Sequence, residues 1–193
     1  MPIRVSYLCL GKYGHTSVTR HERTRSVFGM ELTGKLADAF NDQITLELQA
    51  ATVYRQLAIE MDVLSLPGIA GWFRAQAAEE LEHAEKFTTH MVDRAAHPRI
   101  GTLSAPDVFV ETVQDAFVAS LAHEKKVSES IRDLYRLAQN EGDIDSVPLL
   151  NWFIEEQVEE EATVGGILDR VKMIGNEGNG LLRLDAELAT RQA

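Results

Sequence analysis

A chain of 193 residues with 45% hydrophobic side chains is long enough for one domain with a sizeable core, and its composition shows no disordered, collagenous or repetitive bias. No apolar run approaches 18 residues, which excludes a membrane-spanning helix, and the only cysteine, Cys9, excludes a disulfide framework and a cysteine-rich zinc site. The formal net charge of -11 marks an acidic body that repels nucleic acid and attracts cations.

The charge is unevenly spread. Residues 1–29 carry Arg4, Lys12, Arg20, Arg23 and Arg25 against Glu22, and removing these from the totals of 19 basic and 30 acidic side chains leaves 14 and 29 in residues 30–193. The leader has no helical periodicity and only a short apolar patch from Val5 to Leu10. It reads as a basic, flexible N-terminal extension of a 30–193 domain, or as sequence upstream of a natural start at Met30. A nucleic-acid-binding arm is the alternative, and a secretory signal does not fit the short patch.

From Leu32 onward the apolar pattern is helical. A first helix is expected from about Thr33 to Leu64, stopped by Pro67 and Gly68, and a second from there to about Ala96. Pro98, Gly101 and Pro106 mark a connection, after which Ser104 and Asp107 resemble a capping box for a third helix reaching about Asn140. Asp145 or Ser146 can cap a fourth, with Pro148 in its first turn and an end near Gly175. Beyond Gly178 and Gly180 a short fifth helix places Leu181, Leu184 and Leu188 on one face.

Four helices of this length suit an all-α four-helix bundle. The short first and third links make antiparallel hairpins, and a middle link of about 10 residues spans roughly 33 Å, enough for a crossover that leaves the second and third helices parallel.

Each long helix has a core-facing seam. The first reads Leu36, Phe40, Gln43, Glu47, Ala50, Tyr54, Leu57, Met61, and the second Ile69, Phe73, Gln76, Glu80, His83, Phe87, His90. The third reads Val110, Phe117, Leu121, Glu124, Ile131, Tyr135, and the fourth Leu149, Phe153, Glu160, Val164, Ile167, Val171, Ile174, with Gln157 slightly off the stripe. Carboxylates at the middle of four apolar seams must be compensated, because an unpaired buried charge costs several kcal/mol. Glutamates with an imidazole form a hard, oxygen-rich ligand set suited to iron or manganese, and Glu80 is central enough to bridge two ions. Glu80 and His83, three residues apart, present both donors from one helical face. His123 points about 100° away from Glu124, and His90 lies too far along the axis to share the cluster.

The segments Phe40 to Glu47, Ala77 to His83, His123-Glu124 and Asn151 to Glu161 resemble the ferritin family, in particular its bacterial non-haem members, and the likeness covers about residues 32 to 191. The resemblance implies a ferritin-like bundle with a long crossover and a short C-terminal helix, assembled as a cytoplasmic cage of 24 subunits. It implies iron storage and ferroxidase activity with Fe(II) and dioxygen or hydrogen peroxide as partners. Glu47, Glu80 and His83 then match the ligands of a first iron, and Glu80, Glu124 and Glu160 those of a second, with Gln157 beside it. Glu79, Glu156 and Glu159 match a third iron position, and Tyr54 and Trp152 match aromatics active in the oxidation step. Leu81 stands where haem-binding relatives carry a methionine, and Gln157 and Glu160 replace a second Glu-x-x-His pair, so no haem is expected. A di-iron or di-manganese oxidase on the same bundle, and a DNA-associated protective ferritin acting through residues 1–29, are the competing expectations.

Overall fold

The computed structural model describes residues 30–175 and 177–190, so the reading of residues 1–29 as a basic arm lies outside the described residues. The described residues form five helices: α1 (Gly34–Val63), α2 (Pro67–Asp93), α3 (Val113–Glu141), α4 (Val147–Ile174) and α5 (Gly178–Leu188). Among the described residues there is no strand, and no helix is long and apolar enough to cross a membrane.

The helix directions follow from side-chain pairs at matched heights. Gln43 of α1 meets Ser130 of α3, whereas Tyr54 meets Ser120, so α1 and α3 run antiparallel. Likewise Gln76 of α2 meets Glu160 of α4 and His90 meets Ser146, so α2 and α4 run antiparallel. The short α1–α2 link makes an antiparallel hairpin, and α2 is therefore parallel to α3. That is the single-crossover bundle expected from the link lengths.

The crossover is longer than expected and occupies residues 94–112. The box at Ser104 and Asp107 does not form. Thr112 caps α3 instead: its hydroxyl accepts from the Asp115 backbone N–H, and the Asp115 carboxylate accepts from the Thr112 backbone N–H at 2.9 Å. Residues before it are held along α1 by a polar ladder that local sequence does not disclose. Asn41, Thr45 and Gln49, one turn apart, accept from the backbone N–H of Arg99, Gly101 and Ser104 at 2.6, 2.8 and 2.7 Å. The Gln49 amide returns a bond to the Ser104 carbonyl at 3.0 Å. Backbone groups satisfied by these side chains have no need of a helix.

Every expected seam position of α1 is buried, and so are those of α2 except the half-buried His90. On α3 the stripe is rotated: Leu121 and Tyr135 flank it, while Ser120, Val127 and Leu134 fill it and Val110 lies in the crossover. On α4, Leu150 replaces Leu149, and Gln157 belongs to the buried stripe rather than beside it. The apolar core is split in two. One cluster, with Leu57, Met61, Phe73 and Phe117, fills the end carrying α5, and the other, with Phe40, Phe87, Ile131 and Phe153, fills the opposite end.

Each end has its own fastening. At the first, α5 packs on α2, where the Asp185 carboxylate accepts from the Ile69 backbone N–H at 2.8 Å. Gly68 is required there, because a Cβ would lie 2.0 Å from the Asp185 carbonyl oxygen. At the other end, Ser146 stands at the N-cap position of α4 without capping it. Its hydroxyl accepts from Arg94 at 2.8 Å and donates to Asp143 at 2.5 Å, and His90 Nε2 lies 2.9 Å away. Arg94 also reaches the Met30 carbonyl at 2.8 Å, tying the start of the described chain to the end of α2. His90 is thus a structural residue, stacked on Phe40 with ring centroids 5.4 Å apart.

Candidate metal centre

Between the two apolar clusters lies a layer of polar side chains that the helices deliver from all four sides: Glu47 from α1, Glu80 and His83 from α2, Glu124 from α3, Gln157 and Glu160 from α4. All six are buried, with 0 to 5% of their surface exposed. Among the described residues no Lys or Arg pairs with Glu47, Glu80 or Glu124, although burying such charges without a partner is costly.

Glu47, Glu80 and His83 can bring one ligand atom each to within 4.8 Å of one another. Glu47 is aimed by a relay that sequence inspection assigned no role: Ser130 donates to Gln43 at 2.6 Å, and the Gln43 amide donates to Glu47 Oε1 at 2.8 Å. Glu47 Oε2 and Glu80 Oε2 are buried without any hydrogen-bond partner. Among the described residues the only ion-pair contact to Glu80 is from the His83 ring, with Nδ1 at 3.5 Å. Two orphaned carboxylate oxygens and an imidazole are the donor set of a hard divalent cation, which would supply the charge that the protein does not.

The other half of the layer is satisfied by neutral donors. Glu124 Oε1 accepts from the Tyr54 hydroxyl, which also lies 3.1 Å from Ser120 Oγ, and Glu124 Oε2 accepts from the Gln157 amide at 3.3 Å. Glu160 Oε2 accepts from the Gln76 amide at 3.1 Å. A seam glutamine is the one sequence signal that could have revealed Gln43 and Gln76, since a buried amide needs partners.

Burial acts on both halves of the layer. Burial pushes the Glu47 carboxyl well above its ordinary range, with Glu80 adding repulsion and Gln43 opposing it. Glu80 is raised by burial and then by Glu124. Burial pushes Glu124 up to about 8 even though Tyr54 donates to it. Tyr54 is raised in turn, by burial and by the Glu124 charge. Without a cation, these groups favour their protonated forms.

Trp152 lies edge-on to His83, with ring centroids 5.7 Å apart, and Lys86 Nζ sits 4.6 Å over its ring. Glu79 and Glu156, half-buried, converge on His83 as a second possible ligand group. Glu159 is exposed and lines the adjoining cavity of about 390 Å³ with Glu79, Glu156 and Glu160. His123 stays out of the cluster: its ring meets Tyr54 edge-on at 6.4 Å, and burial holds it neutral with a pKa of about 4.

The profile of the family described as Ferritin, ferritin-like domain, matches residues 37–174. A bacterial non-heme ferritin of Staphylococcus epidermidis is 36% identical over 160 residues, covering 83% of this chain and 96% of its own, and one of Staphylococcus aureus is 35% identical over the same span. Among solved structures, an Archaeoglobus fulgidus ferritin engineered to a closed form superposes with a TM-score of 0.82 at 33% identity, covering 84% of this chain and 99% of its own. An open pore ferritin from the same archaeon gives 0.82 at 32% identity.

Proposed function

The chain belongs to the ferritin family, and from that premise we propose that it is a haem-free ferroxidase that oxidises Fe(II) and stores the product as a mineral. The observation that carries this reading is the convergence of Glu47, Glu80 and His83, with two buried carboxylate oxygens that no Lys, Arg or neutral donor satisfies by a hydrogen bond. Two Fe(II) ions are the substrate. Glu47 and His83 hold one, Glu124 and Glu160 the other, and Glu80 spans both. Each ion gives up one electron, and the pair reduces dioxygen to hydrogen peroxide with two protons, or peroxide to water.

The chain's own groups have definable tasks. The carboxylates favour Fe(III) over Fe(II) because their negative charge stabilises the more highly charged ion. Holding two ions within one site makes the two-electron step intramolecular. The neutral donors Tyr54, Gln76 and Gln157 keep Glu124 and Glu160 oriented and can turn away when a cation arrives. Trp152 and Tyr54 flank the site as aromatics able to supply a further electron. Glu79, Glu156 and Glu159 offer carboxylates for iron in transit. Storage requires a hollow assembly, and 24 chains of 21.5 kDa make a cytoplasmic particle of roughly half a megadalton by size-exclusion chromatography.

Replacing Glu47 and His83 together by alanine abolishes the fast phase of aerobic Fe(II) oxidation, followed by absorbance of the Fe(III) product. If the initial rate survives, the site assignment is wrong.

A further inference from the structure

The carboxylates of the buried layer are held in two different ways. Glu124 has a neutral donor on each oxygen, Tyr54 on Oε1 and Gln157 on Oε2. Glu47 has a donor on Oε1 alone, the Gln43 amide at 2.8 Å, and its Oε2 is left without a hydrogen bond. An ion that takes Oε2 therefore leaves the Gln43 contact intact. Once a cation holds Glu47 ionised, that contact is charge-assisted and becomes stronger.

Gln43 sits one turn before Glu47 on α1, where residues four apart face each other. On a helix surface such a pair is weak, but here the two side chains are 1% and 0% exposed, so water cannot replace the amide. Its orientation is also decided. Nε2 must face the carboxylate, because the amide oxygen in that place would set two acceptors against each other. The amide oxygen then points to α3, where the half-buried Ser130 hydroxyl donates to it at 2.6 Å. Swinging Gln43 away would leave an amide and a carboxylate oxygen unsatisfied together.

We infer that Gln43 is a positioning residue that limits Glu47 to ligation through Oε2 alone, and that Ser130, from another helix, locks it in that role. A hard divalent cation in an oxygen-rich site takes about six donor atoms. A carboxylate bound through both oxygens fills two of these places, and one bound through a single oxygen fills one. With Glu47 so restricted, one more place on the ion stays open to water and the oxidant. Freed from Gln43, Glu47 can chelate, which holds the ion at least as well and closes that place. Loss of Gln43 therefore lowers kcat without weakening ion binding. A glutamine that merely satisfied a buried carboxylate would leave kcat unchanged when lost. The inference rests on the ferroxidase reading above, in which Glu47 and His83 hold one Fe(II).

The test uses the full chain with three probes: crystallography with redox-inert Zn(II), equilibrium dialysis with Co(II), and the kinetics of aerobic Fe(II) oxidation. In the wild type, Zn(II) contacts Glu47 through Oε2 only, and the Gln43 amide stays on Oε1. Gln43→Met, of similar length but without a donor, places both Glu47 oxygens on Zn(II) and binds Co(II) no more weakly than the wild type. Its kcat falls about tenfold with no rise in KM. Ser130→Ala shifts kcat in the same direction, and Ser130→Thr, which keeps the hydroxyl, restores it. Circular dichroism and elution volume verify fold and assembly, and if Gln43→Met does not fold, the two Ser130 variants decide. Both Glu47 oxygens on Zn(II) in the wild type, or a kcat untouched by Gln43→Met or by Ser130→Ala, overturns the inference and leaves the ferroxidase reading intact. A wild type with no fast Fe(II) phase brings down the ferroxidase reading, while the Zn(II) structures still decide how Glu47 binds.

Discussion

Glu124→Gln tests whether the buried carboxylate layer is a strain that only a cation relieves. Glu124 carries a pKa of about 8 in the bundle, against about 4.3 for an unfolded glutamate. A group whose folded pKa is raised contributes its full stability below the unfolded value and loses it as pH rises towards the folded value. At pH 7.5 the folded chain keeps a proton that the unfolded chain has released, a penalty of about 4 kcal/mol at 1.36 kcal/mol per pH unit. Glutamine removes that penalty and can still accept from Tyr54, but its amide faces the Gln157 amide, a loss of about 1 kcal/mol. The variant is therefore more stable than the wild type by about 3 kcal/mol at pH 7.5 without metal, a rise in Tm of roughly 6–12 °C. The gain vanishes by pH 4.5, where the unfolded carboxyl is about half protonated and the remaining penalty is smaller than the loss at the Gln157 amide. Saturating Co(II) reverses the order, because it stabilises the wild type more. The assay is thermal unfolding by circular dichroism at fixed protein concentration, chelated and metal-loaded, at both pH values. A variant less stable at pH 7.5 without metal, or a gain that does not change with pH, refutes the reasoning.

Three further substitutions probe the fastenings of the bundle. Gly68→Ala forces a Cβ against the Asp185 carbonyl and displaces α5, costing about 2 kcal/mol by urea unfolding and exposing the α4–α5 link to proteolysis. Asp143→Asn leaves the Arg94 guanidinium without its carboxylate at 2.7 Å and costs about 3 kcal/mol, read as a lower Tm at neutral pH. Phe87→Ala removes a ring stacked 4.1 Å from Phe153 in a fully buried site and costs about 4 kcal/mol, with hydrogen exchange rising at the α5-distal end of the bundle.

Periodicity made α1 and α2 legible because their seams are strict and their apolar residues large: Phe40, Tyr54, Phe73 and Phe87 are all fully buried at the expected positions. It failed at the start of α3, where Ser104 and Asp107 have the right spacing for a cap but the Ser104 backbone is already satisfied by Gln49, 55 residues away. The same limit hid the roles of Gln43 and Gln76. Their seam positions were evident, while their partners, Ser130 and Glu160, sit on other helices.

The sequence by itself determined that four helices would form, that each would bring a carboxylate to the bundle interior, and that Glu80 and His83 would share a face. These are consequences of a 3.6-residue repeat and of breakers such as Pro67 and Gly68, which act locally along the chain. Only the tertiary structure decided which oxygens are spoken for. Tyr54 and Gln157 reach Glu124, Gln76 reaches Glu160, and Glu47 Oε2 and Glu80 Oε2 are left without a hydrogen bond. That division depends on the relative height and rotation of α1, α2, α3 and α4, which no local pattern encodes.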